Sequence, residues 1–389
     1  MEKGLLNPLD VMQECVQLAL MGKGYTKTNP CVGAIVAKDN KIISRGWHMA
    51  YGEAHAEVNA IDSCPESVEG ADIYVTLEPC SHFGKTPPCV EKIVASGIKR
   101  VFIGVVDPNP VNAGKGVEYL RQHGVEVFIG YMEELCASII EDFSKFIYTG
   151  MPYFTVKLAQ SVDGKIASRT GDSKWITSHS SRAYAHYLRA VSDAVLVGVS
   201  TVEQDDPELT VRLIKSDREP YKIVLDPNGR MSLERKLVQN SKDKLIYVTS
   251  DRNKNIDKYE KCGIDVLSVP YTENGLDLQY LSKKLIERKI LNVMIEGGGK
   301  TVGSFFDAGL IDKADFIIAP IVIGGDRVSV CGNGVESVSL AHKLTDVQTR
   351  MFEGDMLYSG KVTDFTKPVL ELTEKIRGCS SCGCSAHKG

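Results

Sequence analysis

Apolar residues between Asp10 and Gly22 recur at Val11, Cys15, Leu18 and Ala19, a spacing that predicts an opening helix with one buried face. Two short apolar runs follow, Cys31 to Ala37 and Ile42 to Trp47, joined by Lys38-Asp39-Asn40; they read as a hairpin. A helix is predicted through Ala54 to Ile61, then a buried strand over Ile73 to Leu77 that delivers Glu78-Pro79-Cys80. Proline at a first turn beside a cysteine suggests that a helix begins there, where the dipole favours a thiolate. Cys89 to Ser96 is another helical run, stopped by Gly97. Strands at Arg100 to Val106 and Val125 to Ile129 flank a helix from Gly116 to His123. Met132 to Tyr148 reads as one amphipathic helix that closes the unit.

After Gly150-Met151-Pro152 the alternation starts again, which places a boundary near residue 150. Tyr153 to Ala159, Ala194 to Val199, Tyr221 to Leu225, Lys244 to Thr249, Asp265 to Val269 and Asn292 to Ile295 read as strands. Helices are predicted over Ser180 to Ala190 and Leu276 to Arg288. Phe316 to Pro320 and a hairpin of Gln348 to Phe352 with Met356 to Val362 close the pattern, which breaks down from Thr366. The expectation is two layered α/β domains, residues 1–149 and 150–365, each with its site at strand ends. A Cys-rich disordered tail is expected over 366–389.

Composition narrows the class. At 389 residues, 43% hydrophobic and 25% charged, the chain suits a globular protein with two ordinary cores. A net charge of -4 argues against bulk nucleic-acid binding. The start, MEKGLLNPLD, lacks the basic and apolar regions of a signal peptide, and no apolar run reaches the roughly 18 residues of a membrane span. Eleven cysteines, an odd number over a long chain, read as reduced thiols and metal ligands. The expected location is cytoplasmic.

The candidate chemistry centres on His55-Ala56-Glu57, Glu78-Pro79-Cys80 and Cys89. One imidazole and two thiols supply three ligands to a tetrahedral Zn2+ and leave the fourth position for water. Glu57, two residues past the histidine, is free to carry protons between that water and a substrate. H-x-E followed by P-C and a second Cys is the known zinc-deaminase signature, with one departure: eight residues, not two, separate Cys80 from Cys89. A lone H-x-E would more simply be a satisfied helix histidine beside core thiols; the added cysteines favour the metal.

In the second half, the strand ending at Ile295 runs into Glu296-Gly297-Gly298-Gly299-Lys300-Thr301, and a helix follows to Ala308. That arrangement suits a phosphate, because backbone N–H groups at a helix N-terminus meet the anion. A tight packing turn would look the same. At the end, Cys379, Cys382, Cys384 and His387 are close enough to hold a soft metal, or are simply exposed thiols on a disordered tail.

Over residues 9–362 the chain resembles the bifunctional deaminase–reductase family of riboflavin biosynthesis. Thr28-Asn29-Pro30-Cys31-Val32-Gly33-Ala34, His55-Ala56-Glu57, TLEPCSHFGKTPPC at 76–89 and Asp107-Pro108-Asn109-Pro110 are similar to its deaminase half. The eight-residue gap is what that family shows. Lys157 to Gly164, Ser173 to Thr177, Thr201 with Asp205-Asp206-Pro207, and Glu296 to Gly299 are similar to its reductase half.

The resemblance implies a cytidine-deaminase-like three-layer domain and a dihydrofolate-reductase-like domain. It implies that 2,5-diamino-6-(5-phosphoribosylamino)pyrimidin-4(3H)-one loses its 2-amino group to water, then that NADPH reduces ribosyl to ribityl, giving 5-amino-6-(5-phosphoribitylamino)uracil. It assigns Zn2+ to His55, Cys80 and Cys89, proton transfer to Glu57, and deaminase substrate contacts to Asn29, His82, Lys85 and Asn109. His48 is a weaker candidate. Reductase substrate falls to Ser173, Arg189, Leu209, Arg212 and Glu296, with the two arginines gripping the phosphate. NADPH falls to Ala159, Trp175, Thr201, Asp205 and the segment Gly298, Gly299, Lys300, Thr301, Val302, Gly303 and Ser304, with Lys157 assisting proton delivery. Pro227, where some relatives carry a small polar cofactor contact, is a departure. The expected partner is a small molecule, neither nucleic acid nor membrane, with self-association left open. The rivals are a nucleoside or tRNA deaminase fused to an unrelated reductase, and a non-catalytic zinc protein.

Overall fold

In the computed structural model, the described residues are 6–84 and 87–379, the side chain of Cys379 excepted. Lys85 and the tail residues Cys382, Cys384 and His387 lie outside them. The chain divides into two compact units, one up to Gly150 that also takes in the segment from Phe365 onward, and one over Met151–Asp364.

The first unit runs α1 (Pro8–Met21), β1 (Gly33–Lys38), β2 (Lys41–Trp47), α2 (Ala56–Asp62), β3 (Asp72–Leu77), α3 (Cys89–Ala95), β4 (Arg100–Val105), α4 (Lys115–Gln122), β5 (Glu126–Ile129), α5 (Glu133–Ile139) and α6 (Glu141–Thr149). Its sheet order is β2-β1-β3-β4-β5, with β1 antiparallel to both neighbours and the last three strands parallel. Met12, Ile35, Ile73, Ile93, Ile103 and Leu120 are fully buried between sheet and helices. Gly46 matters for the site. A Cβ there would strike the backbone of Ala56 and Ala60, so its absence lets α2 lie directly on β2 and fixes where the start of that helix points.

Two expectations need correction here. The single helix over Met132 to Tyr148 is two, broken at Ile140, whose φ of -110° leaves the helical region. The break lets Ile139 and Ile140, neighbours that a straight helix would aim about 100° apart, both be buried. The pattern also does not end at Thr366. Lys367–Cys379 forms a last helix, α13, with Val369 and Thr373 fully buried and Leu370, Leu372 and Ile376 packed against the core of this unit. Its charged residues, Lys367, Glu371, Glu374, Lys375 and Arg377, interrupt the sequence between those apolar positions and hide the helical stripe.

The second unit comprises β6 (Tyr153–Ser161), α7 (His179–Val191), β7 (Ala194–Gly198), α8 (Val199–Asp205), β8 (Tyr221–Leu225), α9 (Lys236–Ser241), β9 (Leu245–Ser250), α10 (Asp257–Glu260), β10 (Asp265–Val269), the short pair β11 (Tyr271–Thr272) and β12 (Gly275–Leu276), α11 (Leu278–Glu287), β13 (Asn292–Glu296), α12 (Gly299–Asp307), β14 (Lys313–Ala319), β15 (Thr345–Phe352) and β16 (Asp355–Lys361). Its nine-stranded sheet has the order β10-β9-β8-β7-β13-β6-β14-β16-β15. The strands from β10 to β14 in that order are parallel, and the closing hairpin is antiparallel. Near-continuous apolar runs such as Ala194–Gly198 follow from burial on both faces. Among the described residues, no helix is long and apolar enough to cross a membrane.

Candidate functional site

His55 is the N-cap of α2, with extended backbone (φ -72°, ψ 165°), and Glu57 sits in the first turn. Cys89 opens α3. Cys80 lies in the loop after β3; no helix starts there, contrary to the reading of Pro79 as a first-turn proline. The later helix serves instead, because the N–H of Cys89 donates to Cys80 Sγ at 3.3 Å. His55 Nδ1 is 3.2 Å from Cys89 Sγ and 3.5 Å from Cys80 Sγ, and the three ligand atoms all lie within 4.8 Å of one another.

The electrostatics match the geometry. Hydrogen bonds from Cys89 and then His55 hold the Cys80 thiol down at about 4. The partnership with Cys80 pushes His55 up and, with burial, pushes Cys89 up. Burial raises the Glu57 carboxyl. One imidazole and two soft sulfurs this close, with one thiolate already favoured, fit zinc in chemistry and number. Glu57 is buried at 3% exposure and lines the same cavity, yet is not one of the three clustered ligands.

That cavity, about 230 Å³, is walled by Asn29, His48, His82, Asp107 and Asn109 as well as by the metal site. The N–H group of Asn29 Nδ2 donates to His48 Nε2 at 3.1 Å, so His48 Nδ1 carries the proton and donates to the Ala54 carbonyl at 3.1 Å. His48 therefore holds Asn29 in place. His82 Nδ1 is buried with no hydrogen-bond partner among the described residues, which suits a group meant for a ligand. Asn109 donates its N–H to Asp107 Oδ1 (2.8 Å) and accepts from the Val111 N–H (3.1 Å).

In the second unit, the predicted residues gather at the carboxyl ends of three adjacent strands. Ala159 is near the end of β6, Thr201 and Asp205 are on α8 after β7, and Glu296 ends β13 before the glycines. This is where open parallel sheets bind ligands. Ser173 Oγ donates to Asp205 Oδ1 at 3.0 Å, and Trp175 is 66% exposed beneath the Arg182 guanidinium, 4.5 Å from its ring. Gly297 and Gly298 have φ of 84° and 80°, and a Cβ on Gly298 would crowd Thr201 Oγ1, so the turn into α12 needs glycine. The backbone cradle this leaves at a helix N-terminus fits a dinucleotide phosphate.

Two details bear on the expected contacts. Val302 is buried in the apolar core, and Gly303 packs on the Cys331 carbonyl. Arg189 does not present a free fork. Its Nε and Nη2 donate to Glu296 and its Nη1 to the Thr210 carbonyl, while Lys157 Nζ is 3.2 Å from Glu296 Oε1. Arg212 is exposed and donates to Glu208 Oε2 and Thr210 Oγ1. Leu209 is buried with a positive φ of 52°.

Residues 152–358 match the RibD C-terminal domain, and residues 7–105 match the cytidine and deoxycytidylate deaminase zinc-binding region. The riboflavin biosynthesis protein RibD of Aquifex aeolicus is 44% identical over 333 residues, which is 86% of this chain and 92% of the relative. The chain belongs to the RibD family. The Escherichia coli RibD is 36% identical over 332 residues, 82% of this chain and 89% of that one. The solved structure of Acinetobacter baumannii RibD superposes with a TM-score of 0.80 at 34% identity, covering 91% of this chain and 98% of its own. A Thermotoga maritima structure, described as a diaminohydroxyphosphoribosylaminopyrimidine deaminase/5-amino-6-(5-phosphoribosylamino)uracil reductase, gives 0.79 at 35% identity, with 91% and 98% covered. As a RibD-family protein the chain is a bifunctional deaminase and reductase of riboflavin biosynthesis, using zinc and NADPH.

Sequence reasoning missed Glu78 in this RibD-family site. Its buried carboxylate accepts the N–H groups of Asp107 (3.1 Å), Gly114 (2.9 Å) and Val117 (3.1 Å), and so ties the Cys80 loop to Asp107 and to the start of α4. Asn112 adds a second tie, accepting from Ser81 N–H and Oγ and donating to the Pro79 carbonyl. Glu78 was visible only as part of a motif; nothing local marked it as the holder of another loop.

Proposed function

We propose that the first unit removes the 2-amino group of 2,5-diamino-6-(5-phosphoribosylamino)pyrimidin-4(3H)-one and that the second reduces the ribosyl chain of the product to ribityl, in the cytoplasm. The observation that carries this reading is the cluster of His55, Cys80 and Cys89 with the buried, raised-pKa Glu57 beside it in one cavity. Eight free cysteines among the described residues suit a reducing compartment.

Zinc, when bound by this set, supplies the Lewis acidity that makes water nucleophilic near neutral pH. Glu57 then carries the proton. Burial raises its pKa, which favours its taking the proton from water and returning it to the departing amine. Asn29, set by His48, and the unpaired Nδ1 of His82 hold the heterocycle, with Asn109 lining the same cavity. Lys85, between the two cysteines in the sequence, contacts the substrate as the resemblance implies, and its charge suits the phosphate.

For the reduction, NADPH supplies the hydride. Opening the ribose ring needs a proton at the ring oxygen, and Lys157, whose Nζ is 3.2 Å from Glu296 Oε1, assists its delivery. Ser173, Leu209 and Arg212 bound the substrate, and Arg189 acts by fixing Glu296. Ala159, Trp175, Thr201, Asp205 and the backbone from Gly298 to Ser304 take the cofactor. Orientation and electrostatics, not a side-chain nucleophile, are what this half contributes.

The test is anaerobic incubation with the diaminopyrimidine phosphoriboside, zinc and NADPH, following ammonia release and NADPH oxidation separately. Glu57→Gln should abolish the first and spare the second when deaminated intermediate is supplied. Ammonia release at the wild-type rate by metal-replete Glu57→Gln would sink the mechanism, and deamination of cytidine or tRNA in place of the diaminopyrimidine would sink the substrate.

A further inference from the structure

The last helix returns, after the whole of the second unit, to the end of β4 in the first. The buried N–H of Val106 donates to Thr373 Oγ1 at 3.0 Å, and the Thr373 hydroxyl donates in turn to the Val369 carbonyl at 2.8 Å. Thr373 and Val106 are both fully buried, so water cannot replace that acceptor. One turn along, Ile376 reaches Gly114, where a Cβ would lie 3.0 Å from its Cδ1, and Arg377 pairs with Glu133 at 2.9 Å. Gly114 is the N-cap of α4, and its N–H donates to Glu78.

Val106 immediately precedes Asp107, Pro108 and Asn109, and the first and last of these form part of the wall of the deaminase cavity. The ligands and Glu57 are carried by the start of α2, α3 and the loop after β3, and among the described residues of these none hydrogen-bonds to Thr373. We propose that Thr373 is a positioning residue for deamination: through Val106 it holds the Asp107–Asn109 wall in the substrate-binding arrangement, so that the C-terminal helix sets substrate affinity without touching substrate. This rests on the deaminase reading above. Losing the bond leaves a buried N–H unpaired and frees the wall to leave its place. Apparent affinity then falls by the fraction of molecules whose wall is in place, while chemistry in the bound complex is unchanged.

The experiment compares full-length Thr373→Val and Thr373→Ser with wild type in the ammonia-release assay, with zinc content and NADPH oxidation on the deaminated intermediate measured in parallel. Thr373→Val should raise the deaminase KM five- to tenfold with kcat, zinc content and reductase rate unchanged, and Thr373→Ser, which keeps the hydroxyl, should stay within twofold of wild type. An unchanged KM in Thr373→Val overturns the proposal. So does a parallel fall of kcat and zinc, which marks a merely structural role. If Thr373→Val yields no zinc-loaded protein, Ile376→Ala is read the same way, and a KM within 1.5-fold of wild type overturns it. Failure of the wild type itself to deaminate the diaminopyrimidine would instead indict the function assigned to the site.

Discussion

Arg189 and Glu296 form a two-pronged ion pair, with Nε 2.8 Å from Oε2 and Nη2 2.9 Å from Oε1, and Lys157 shares the same carboxylate. All three side chains are nearly buried, and the two cations hold the Glu296 carboxyl far below its usual range. Such a pair adds little net stability over apolar packing, but breaking it is costly because the remaining charges stay buried. Glu296→Ala strands two cations and should cost about 3–5 kcal/mol. Urea unfolding should show it as a lower midpoint for the second unit with the first unit's transition unmoved. A loss below about 1 kcal/mol would mean that water reaches the cluster freely.

His186 gives that unit an acid limit. The ring is buried, and its Nδ1 accepts the N–H of Arg212 at 3.0 Å, a bond that only the neutral ring can make. Burial, with Arg189 and Arg212 nearby, lowers its pKa to about 4 from 6.5. As pH falls from 6.5 toward 4, the unfolded chain takes up a proton that the folded one refuses. Stability is therefore complete above 6.5 and is lost through that window. The expected loss between pH 7 and 5 is on the order of 1 kcal/mol, visible as a falling thermal midpoint. His186→Asn, which keeps an acceptor and cannot ionise, should flatten the profile; an equally steep profile would assign the acid sensitivity elsewhere.

What the sequence made legible was local. His55 and Glu57 are two residues apart, and the cysteines sit at the next strand–helix junction, so one strand end and two helix starts bring the cluster together with little help from the rest of the chain. The layered fold was legible for the same reason, since each strand and helix declares itself by its own periodicity. What was hidden depends on distance along the chain. Arg189 looked like a free phosphate grip because Glu296 is 107 residues away. Thr373 lies 267 residues from the N–H it accepts, in a segment whose charges masked its helix. The residues between β3 and α3 show the same limit in reverse: their flanking elements were clear, yet nothing marked Glu78 as the acceptor of three distant N–H groups.

Glu78 follows directly from that. Burial raises its pKa, and the N–H groups of Gly114, Val117 and Asp107 pull it back down. Glu78→Gln keeps the shape but turns an NH2 toward at least one of those donors, leaving a buried N–H unpaired. The expected cost is about 1–3 kcal/mol in the first unit, with a lower thermal midpoint and a weaker hold on zinc. Reductase rate on the deaminated intermediate should not change. A Glu78→Gln protein as stable as wild type would show that the three N–H groups find water once the carboxylate is gone.

Zinc removal should separate the two activities. The ligands come from α2, α3 and the loop after β3, all in the first unit. A ligand that binds only the folded state stabilises by mass action, so stripping the metal with a chelator should lower the first unit's thermal midpoint and abolish ammonia release, and added zinc should restore both. Cys89→Ser replaces a thiolate ligand by a hydroxyl that stays protonated near pH 7, and should reduce bound zinc to well under half of the wild-type content by metal analysis. NADPH oxidation with deaminated intermediate should be untouched in both experiments. A reductase rate that fell in step with zinc would mean that the metal holds the whole chain together and that the cluster of His55, Cys80 and Cys89 is structural.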